Sequence, residues 1–173
     1  IYILVKIEFN NGDKQELKLS VKSSNKSMYG HLSGHSFKSF KKHMNEVKSI
    51  SKDVDQALNN FFAIKSAKLL SVNDKKILKE YFSTNIKELF NFTFVHGNRE
   101  EKAEYLVYCN NEKKIIKILK LQEVLNYYLK NNLFDVDFSK QKISIMSGLI
   151  LLEARSSQFQ FHFSFKNLNK EFD

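Results

Sequence analysis

The sequence of 173 residues contains no proline, no tryptophan and a single cysteine, Cys109. One cysteine excludes an internal disulfide and any zinc site built from several cysteine ligands. Cysteine usage of this kind suits a reducing compartment, so we expect a cytoplasmic protein. Long apolar runs are also missing, so the sequence predicts no membrane span, and no signal peptide is visible in this piece.

Acidic residues are scarce in the first part of the chain. The first 52 residues hold ten lysines but only four acidic residues, which gives them +6 of the total net charge of +9. Concentrated positive charge suits a polyanion, because each phosphate that is neutralised releases counterions. A lysine-rich proteome is the alternative explanation, and 26 lysines against two arginines fit it. The charge favours nucleic acid as the partner but does not identify it.

Two extended segments, residues 1–9 and 14–23, open the sequence around a turn signal at Asn10–Asp13. Residues 14–23 alternate strictly, with leucine and valine on one face and charged or hydroxyl side chains on the other. With Asn11, Gly12 and Asp13 as the loop, the matching faces predict three opposing pairs. These pairs are Ile3 with Val21, Ile7 with Leu17, and Glu8 with Glu16.

Helical patterns follow this hairpin, and strand patterns return near the end. A stripe of Phe37, Phe40, Met44 and Val47 predicts the first helix, after a loop over 24–35. Further helices are predicted near 53–65, from 73 onward, at 86–90 and at 121–129, and further strands at 105–109, 114–119, 142–147, 149–155 and 158–166. Strands, then helices, then strands indicate an α/β layer fold with a mixed sheet covered by helices.

The polar face of the hairpin is a candidate site. In the predicted register Glu8, Glu16 and Lys18 cluster, with Lys22 further along. Carboxylates bind hard divalent cations such as Mg²⁺, which supply hydroxide and neutralise charge on a phosphate. A nearby lysine can orient the water or stabilise the transition state. An ordinary solvated face with cross-strand ion pairs is the alternative interpretation.

Two other groups of residues are candidates for contact with DNA. Lys38, Lys41 and Lys42 fall mostly off the apolar stripe of the first predicted helix, and we expect them to contact phosphates. Arg155 precedes a strand whose polar face includes Gln160, and we expect this face or its preceding loop to approach DNA. A solvated edge with a phenylalanine-lined core behind it is the alternative.

The stretch IEFNNGDKQELKLSVKSSNKS, residues 7–27, resembles the active-site hairpin of the PD-(D/E)XK nucleases, particularly type II restriction endonucleases. The resemblance covers about the first 60 and the last 30 residues. It implies an α/β fold with a restriction-endonuclease-like mixed β-sheet flanked by helices, in a single nuclease-like domain over residues 1–173. Because the sequence starts at Ile1, we expect a fragment that lacks its N-terminal part.

The resemblance places the family's motif lysine in two ways. In the first, Lys22 matches it within the run Ser20–Ser24, SVKSS, and Ser20 takes the place of the second acid. An acid then comes from elsewhere, for example Glu46. In the second, the triplet Glu16–Lys18, ELK, matches the family's E-x-K pattern.

This sequence departs from the family's pattern at the first acidic residue. It is normally an aspartate near the start of the first strand, where this chain has Ile, Tyr, Ile and Leu. The first acid is therefore Glu8, or it lies upstream of Ile1, or the domain is inactive.

The resemblance implies a Mg²⁺-dependent, restriction-type endonuclease that cuts double-stranded DNA. Glu8 and Glu16 would bind the metal, and Glu16 with Lys18 or Lys22 would carry the catalytic step. A homodimer is implied by the resemblance alone. The alternatives are a catalytically inactive, nuclease-like DNA-binding module and an interaction protein of the phage or toxin type.

Overall fold

The computed structural model describes residues 2–24, 29–96, 103–110, 114–155 and 158–164. The helices of this part are α1 (Phe37–Val47), α2 (Lys52–Ile64), α3 (Val72–Thr84), α4 (Ile86–Phe90) and α5 (Leu121–Lys130), with a 3-10 helix at Ala67–Leu69 and a π-helical segment at Asn91–His96. The strands are β1 (Tyr2–Glu8), β2 (Lys14–Ser24), β3 (Tyr29–Ser36), β4 (Tyr105–Asn110), β5 (Ile115–Lys120), β6 (Val136–Asp137), β7 (Ile143–Ile145), β8 (Ile150–Ala154) and β9 (Gln158–Ser164).

A four-stranded mixed sheet has the order β1-β2-β4-β5. Strands β1 and β2 are antiparallel, β2 and β4 are parallel, and β4 and β5 are antiparallel. A parallel pair needs a long crossover between its strands. Here the crossover contains β3 and the helices α1 to α4.

The β1–β2 hairpin forms as predicted, but its predicted register is wrong. Ile3 lies opposite Leu19 rather than Val21, and Glu8 lies opposite Lys14 rather than Glu16. The loop starts one residue earlier than predicted, because Gly12 (φ +86°) takes the left-handed position that ends a three-residue loop. Asp13 then joins the ladder, where its carbonyl accepts a hydrogen bond from the Phe9 amide at 2.8 Å.

A five-stranded antiparallel sheet has the order β3-β9-β8-β7-β6. The predicted loop over 24–35 is wrong from Tyr29 onward, because Tyr29–Ser36 forms strand β3 and pairs with β9. Its sequence, YGHLSGHS, has little strand propensity of its own, so pairing with a distant strand decides its conformation. The register shifts between His31 and Gly34, which marks an irregularity in the ladder.

Helices α1 and α2 cover this sheet through aromatic side chains. The rings of Phe40 and Phe159 have centroids 4.9 Å apart, and those of Phe61 and Phe159 are 5.6 Å apart. Phe161 belongs to the same buried cluster. The predicted inward face of the last strand is confirmed at Phe159 and Phe161. Each fully buried aromatic side chain contributes about 2 to 3 kcal/mol to folding.

Serine side chains cap the two longest helices. Ser51 accepts a hydrogen bond from the Val54 amide at 3.2 Å at the start of α2. Ser71 accepts one from the Asp74 amide at 3.0 Å at the start of α3. Such caps stabilise a helix by about 1 kcal/mol each.

The predicted fold class, an α/β protein with a mixed β-sheet flanked by helices, is confirmed. The difference from the expectation is that the described strands form two sheets. Helices α1 and α2 lie against the five-stranded sheet, and α5 follows β5 at the edge of the mixed sheet.

Candidate nucleic-acid interface

The polar face of the β1–β2 hairpin carries ion pairs between its two strands. Lys6 Nζ lies 3.3 Å from Glu16 Oε1, and Lys14 Nζ lies 3.8 Å from Glu8 Oε1. Each glutamate therefore faces a lysine on the opposite strand. Lys18 lies on the same exposed face, opposite Leu4. The structure does not place Glu8 directly opposite Glu16, as the predicted cluster required.

These residues do not fit the Mg²⁺ ion that the family resemblance implies. A metal site needs several oxygen ligands around one point, whereas each hairpin carboxylate is paired with a lysine. Within the described ranges of the chain, no three His, Cys, Asp or Glu side chains are grouped so that they could hold a metal ion. The described carboxylates therefore provide no basis for a metal-dependent step.

Two of the predicted site residues can be placed by their backbone only. Lys22 lies on β2 opposite Tyr108 of β4, so it belongs to a central strand of the mixed sheet. Gln160 lies on β9 between Gly34 of β3 and Glu153 of β8. Their side chains lie outside the described part of the structure.

A basic groove lies between α1 and the start of α2, with a volume of about 570 Å³. It is lined by Lys38, Lys41, Lys42, Asn45, Ile50, Ser51, Lys52, Asp55 and Gln56. Four lysines against one aspartate leave this lining with a charge of +3. The structure thus brings together the three lysines that the sequence predicted to contact phosphate, and it adds Lys52.

Local structure explains the shape of this groove. The Asn45 side chain accepts a hydrogen bond from the Ile50 amide at 3.0 Å, which fixes the turn between α1 and α2. Lys41 Nζ lies 2.7 Å from Asp55 Oδ1 and so ties the two helices together. Lys42 forms a longer pair with Glu46 of its own helix, at 3.8 Å. Of the three predicted lysines, Lys41 is therefore the one that already has a close acidic neighbour.

Lys52 was missed by the sequence prediction, although a signal for it was present. It directly follows Ser51, which caps α2, so it stands at the first position of that helix. The free amide groups of a helix start carry partial positive charge, which adds to that of the lysines. A capping serine next to a lysine, close in sequence to the basic first helix, is the pattern that could have indicated it.

Arg155 belongs to a second charged cluster, at the end of β8. Glu153 Oε2 lies close to three basic groups: Arg155 Nε at 3.2 Å, Lys142 Nζ at 3.2 Å and His162 Nε2 at 2.7 Å. His162 is buried and Arg155 is half exposed. The sequence prediction named Arg155 and the polar face of the strand that carries His162, but it did not name Glu153 or Lys142. The alternation of Glu153 and Arg155 at i and i+2 on a strand was its signal.

The pKa of Glu153 is held below its ordinary value of 4.5. Burial of the carboxyl group raises this pKa, but hydrogen bonds from His162 and Lys142 and the charges of Lys142 and Arg155 outweigh burial. Glu153 is therefore a stable anion at neutral pH. Its charge is balanced inside the protein, which leaves it unsuited to binding a metal ion in this arrangement.

Comparison with solved structures identifies the fold. No protein-family model matches the sequence, and no curated protein matches it. The structure is similar to a crystal structure of the restriction endonuclease MspI in complex with its cognate DNA, with a TM-score of 0.67 and 10% sequence identity. The fold is that of a restriction endonuclease. The match covers 92% of this chain, which spans 62% of the length of that enzyme.

A membrane-spanning helix is not found among the described residues, since none of their helices is both long enough and apolar enough.

Proposed function

We propose that the chain binds double-stranded DNA through the basic groove between α1 and α2. The observation that carries this proposal is the convergence of Lys38, Lys41, Lys42 and Lys52 on one groove. Lysine side chains contact phosphates as point charges, so a groove of this kind favours the DNA backbone without reading its sequence. The restriction-endonuclease fold supports DNA as the polyanion, because the similar solved structure is a complex with DNA.

Salt dependence of binding is the test of the groove. Replacing Lys38, Lys42 and Lys52 together by alanine should lower the magnitude of the slope of log K against log salt by about 3, since each phosphate contact contributes about 0.9. Affinity for a short duplex should fall roughly tenfold or more at moderate salt. Fluorescence anisotropy over a salt series measures both quantities.

The matched control removes the same charge elsewhere. Lys76, Lys79 and Lys87 on α3 and α4 are exposed and do not line the groove. Their triple alanine variant should retain nearly the full slope and affinity. Equal losses in the two triple variants would show that only net charge matters and that the groove has no special role. The absence of any DNA binding by the native chain would favour an interaction protein instead.

Cleavage of the bound DNA is a second candidate function. The fold favours it, together with the position of Lys22 on the central strand β2, where the family resemblance places a motif lysine. The described carboxylates do not gather a metal ion, so we derive no step of the reaction. A homodimer, which would let two sites cut two strands, belongs to this second proposal.

A plasmid-nicking assay in Mg²⁺ and in EDTA tests cleavage. A nuclease should convert supercoiled plasmid to nicked or linear forms in Mg²⁺ only, and Lys22→Ala should abolish this while leaving duplex affinity within about twofold. Glu16→Gln and Glu8→Gln test the other assignment, in which Glu16–Lys18 matches the E-x-K pattern and Glu8 is the first acid. An intact plasmid under all metal conditions, with normal DNA binding, would identify the chain as a non-cleaving DNA-binding module.

A further inference from the structure

Helix α2 presents a polar stripe that begins in the basic groove and continues along the helix. We call it the outer face of α2, and it consists of Lys52, Gln56, Asn59 and Ala63. These residues lie within about 60° of one another around the helix axis, since positions three and four apart share a face. The opposite side of the helix is buried in the core, so the outer face is the one turned to solvent. Lys52 and Gln56 also line the groove.

The outer face carries amide side chains in a chain that is otherwise rich in lysine. The sequence has 26 lysines, yet none lies between Lys52 and Lys65. The exposed positions of α3, by contrast, include Lys76, Lys79 and Glu80. Asparagine is a poorer helix former than lysine or glutamate. Helix stability therefore does not explain the two adjacent asparagines in the middle of α2.

Hydrogen bonds inside the protein hold the amide of Gln56 in one orientation. Gln56 Nε2 donates to Asn60 Oδ1 at 3.0 Å, and Asn60 Nδ2 donates to both carboxylate oxygens of Asp74 at 3.1 Å. Asp74 is buried and also accepts from the Ser71 hydroxyl at 2.8 Å. Gln56 is thus connected through Asn60 to a buried carboxylate on α3. A side chain that is already oriented loses less conformational entropy when it binds a ligand.

Asn59 is held in a similar way. Its Nδ2 donates to Asp55 Oδ2 at 2.9 Å, while Asp55 Oδ1 lies 2.7 Å from Lys41 Nζ. Lys41 thereby offsets the negative charge of Asp55 beside the outer face. The other acid in the first turn, Asp53, lies about 100° around the helix axis from Lys52 and is therefore outside this face.

Each of the two amides keeps a hydrogen-bond donor and an acceptor for a ligand. In Gln56 and in Asn59 one N–H donates within the protein, whereas the carbonyl oxygen and the second N–H have no partner in the described part of the chain. Such an amide matches adenine, which presents the N7 acceptor beside the N6 amino donor in the major groove. A helix with its side chains is about 10 to 12 Å across, and the major groove is about 12 Å wide.

We propose that α2 enters the major groove of double-stranded DNA and that Gln56 and Asn59 read adenine bases there. In this arrangement the lysines of the basic groove, at the start of the same helix, contact the phosphate backbone. Phosphate contacts orient a protein on DNA but carry no sequence information, so the two amides supply the base preference that the lysines lack. This proposal rests on the proposed DNA binding and adds sequence recognition to it.

Selection from a library of random duplexes, followed by sequencing, measures the base preference of the native chain. We expect adenine to be enriched at one position or at two neighbouring positions. A duplex with the enriched adenine should bind about tenfold more tightly than one with guanine in its place. Gln56→Ala and Asn59→Ala should each bring this ratio of affinities close to 1 at the adenine that the replaced side chain contacts.

Gln122→Ala is the matched control for these variants. Gln122 Nε2 donates to Asn126 Oδ1 at 2.9 Å on α5, which repeats the bond of Gln56 with Asn60 on a helix that does not line the groove. The control should retain the adenine preference of the native chain. Equal loss of the preference in Gln122→Ala and Gln56→Ala would overturn the proposal.

A modified base tests the contact with the native protein, so this readout does not depend on the folding of a variant. Replacing the enriched adenine by 7-deazaadenine removes the N7 acceptor and keeps base pairing. The affinity of the native chain should fall about fivefold or more, and an unchanged affinity would overturn the proposal. The variant that has lost the preference at that position should respond to the modified base by less than about twofold.

Failure of this proposal differs from failure of the proposed function. DNA binding without any base preference, or with a preference that both α2 variants retain, would overturn the reading of adenine and leave the groove as a phosphate-binding site. No DNA binding by the native chain would overturn the proposed function itself.

Discussion

Glu153 holds together three strands of the antiparallel sheet by charge. It contacts Lys142 just before β7, Arg155 just after β8 and His162 on β9. Lys142 and Arg155 are both cations and Glu153 is a single anion, so the cluster as a whole has a net positive charge. The half-exposed Arg155 presents that excess to solvent. Contact of Arg155 with DNA stays a prediction. In such a contact, Arg155 would either keep its ion pair with Glu153 or exchange it for an interaction with DNA.

Glu153→Gln should destabilise the protein by about 2 kcal/mol, because it leaves the basic groups around it without a counter-charge. The pKa of Glu153 is depressed in the folded state, so its contribution is present above pH 4.5 and is lost as the pH falls through the folded pKa. The free energy of unfolding of Glu153→Gln should therefore lack the decrease that protonation of Glu153 causes at acidic pH. Urea unfolding at several pH values measures it.

Glu16→Gln is the control for this variant. It removes an exposed hairpin ion pair with Lys6 at a similar distance, and exposed pairs contribute about 0.5 kcal/mol or less. A loss of equal size in the two variants would mean that burial of Glu153 has no energetic consequence.

Tyr81→Phe should stabilise the protein by about 1 kcal/mol. The Tyr81 hydroxyl is buried and has no hydrogen-bond partner within the described part of the chain, and an unsatisfied buried hydroxyl is costly. Burial, with a smaller effect of the Glu88 charge, raises the pKa of Tyr81 to about 12. Native stability should consequently fall as the pH rises from 10 toward 12, and the variant should lack this component. Unfolding curves in alkaline buffers would refute the idea if both proteins behaved alike.

The β1–β2 turn depends on one glycine. Gly12 has φ +86°, and a Cβ built there would meet nothing within 4 Å. Gly12→Ala should therefore cost about 1 to 2 kcal/mol through backbone conformation alone, without a clash. Gly12→Asn should cost less, since asparagine tolerates the left-handed region. Chemical denaturation of both variants checks this order, and an equal loss for Asn and Ala would contradict it.

Elements with a strong local pattern could be predicted from the sequence, and those fixed by distant partners could not. The stripe from Phe37 to Val47 predicted α1 with its observed bounds. The sequence predicts a loop where strand β3 lies, because its glycines and histidines carry no pattern and its strand conformation depends on pairing with β9. The hairpin was predicted with correct faces, yet a loop placed one residue late shifted every opposing pair.

The family resemblance predicted the fold correctly, whereas the site residues stay predictions. The lysines of α1 were identified as a group, and the structure places them in one groove with Lys52. Contacts between separate strands, such as Glu153 with His162, depend on the register of β8 and β9, which no local pattern specifies. The roles of Glu16, Lys18 and Lys22 stay predictions.

The parallel pairing of β2 with β4 has a consequence for how the chain folds. Leu19 pairs with Tyr105, so the mixed sheet closes only when β3 and all of α1 to α4 have been drawn in between. Bringing such distant segments together is costly in chain entropy and slows folding. The β1–β2 and β4–β5 hairpins are local and can form early, so we expect their union to be a late step. Substitutions that weaken the helices of the crossover should therefore slow refolding of the mixed sheet.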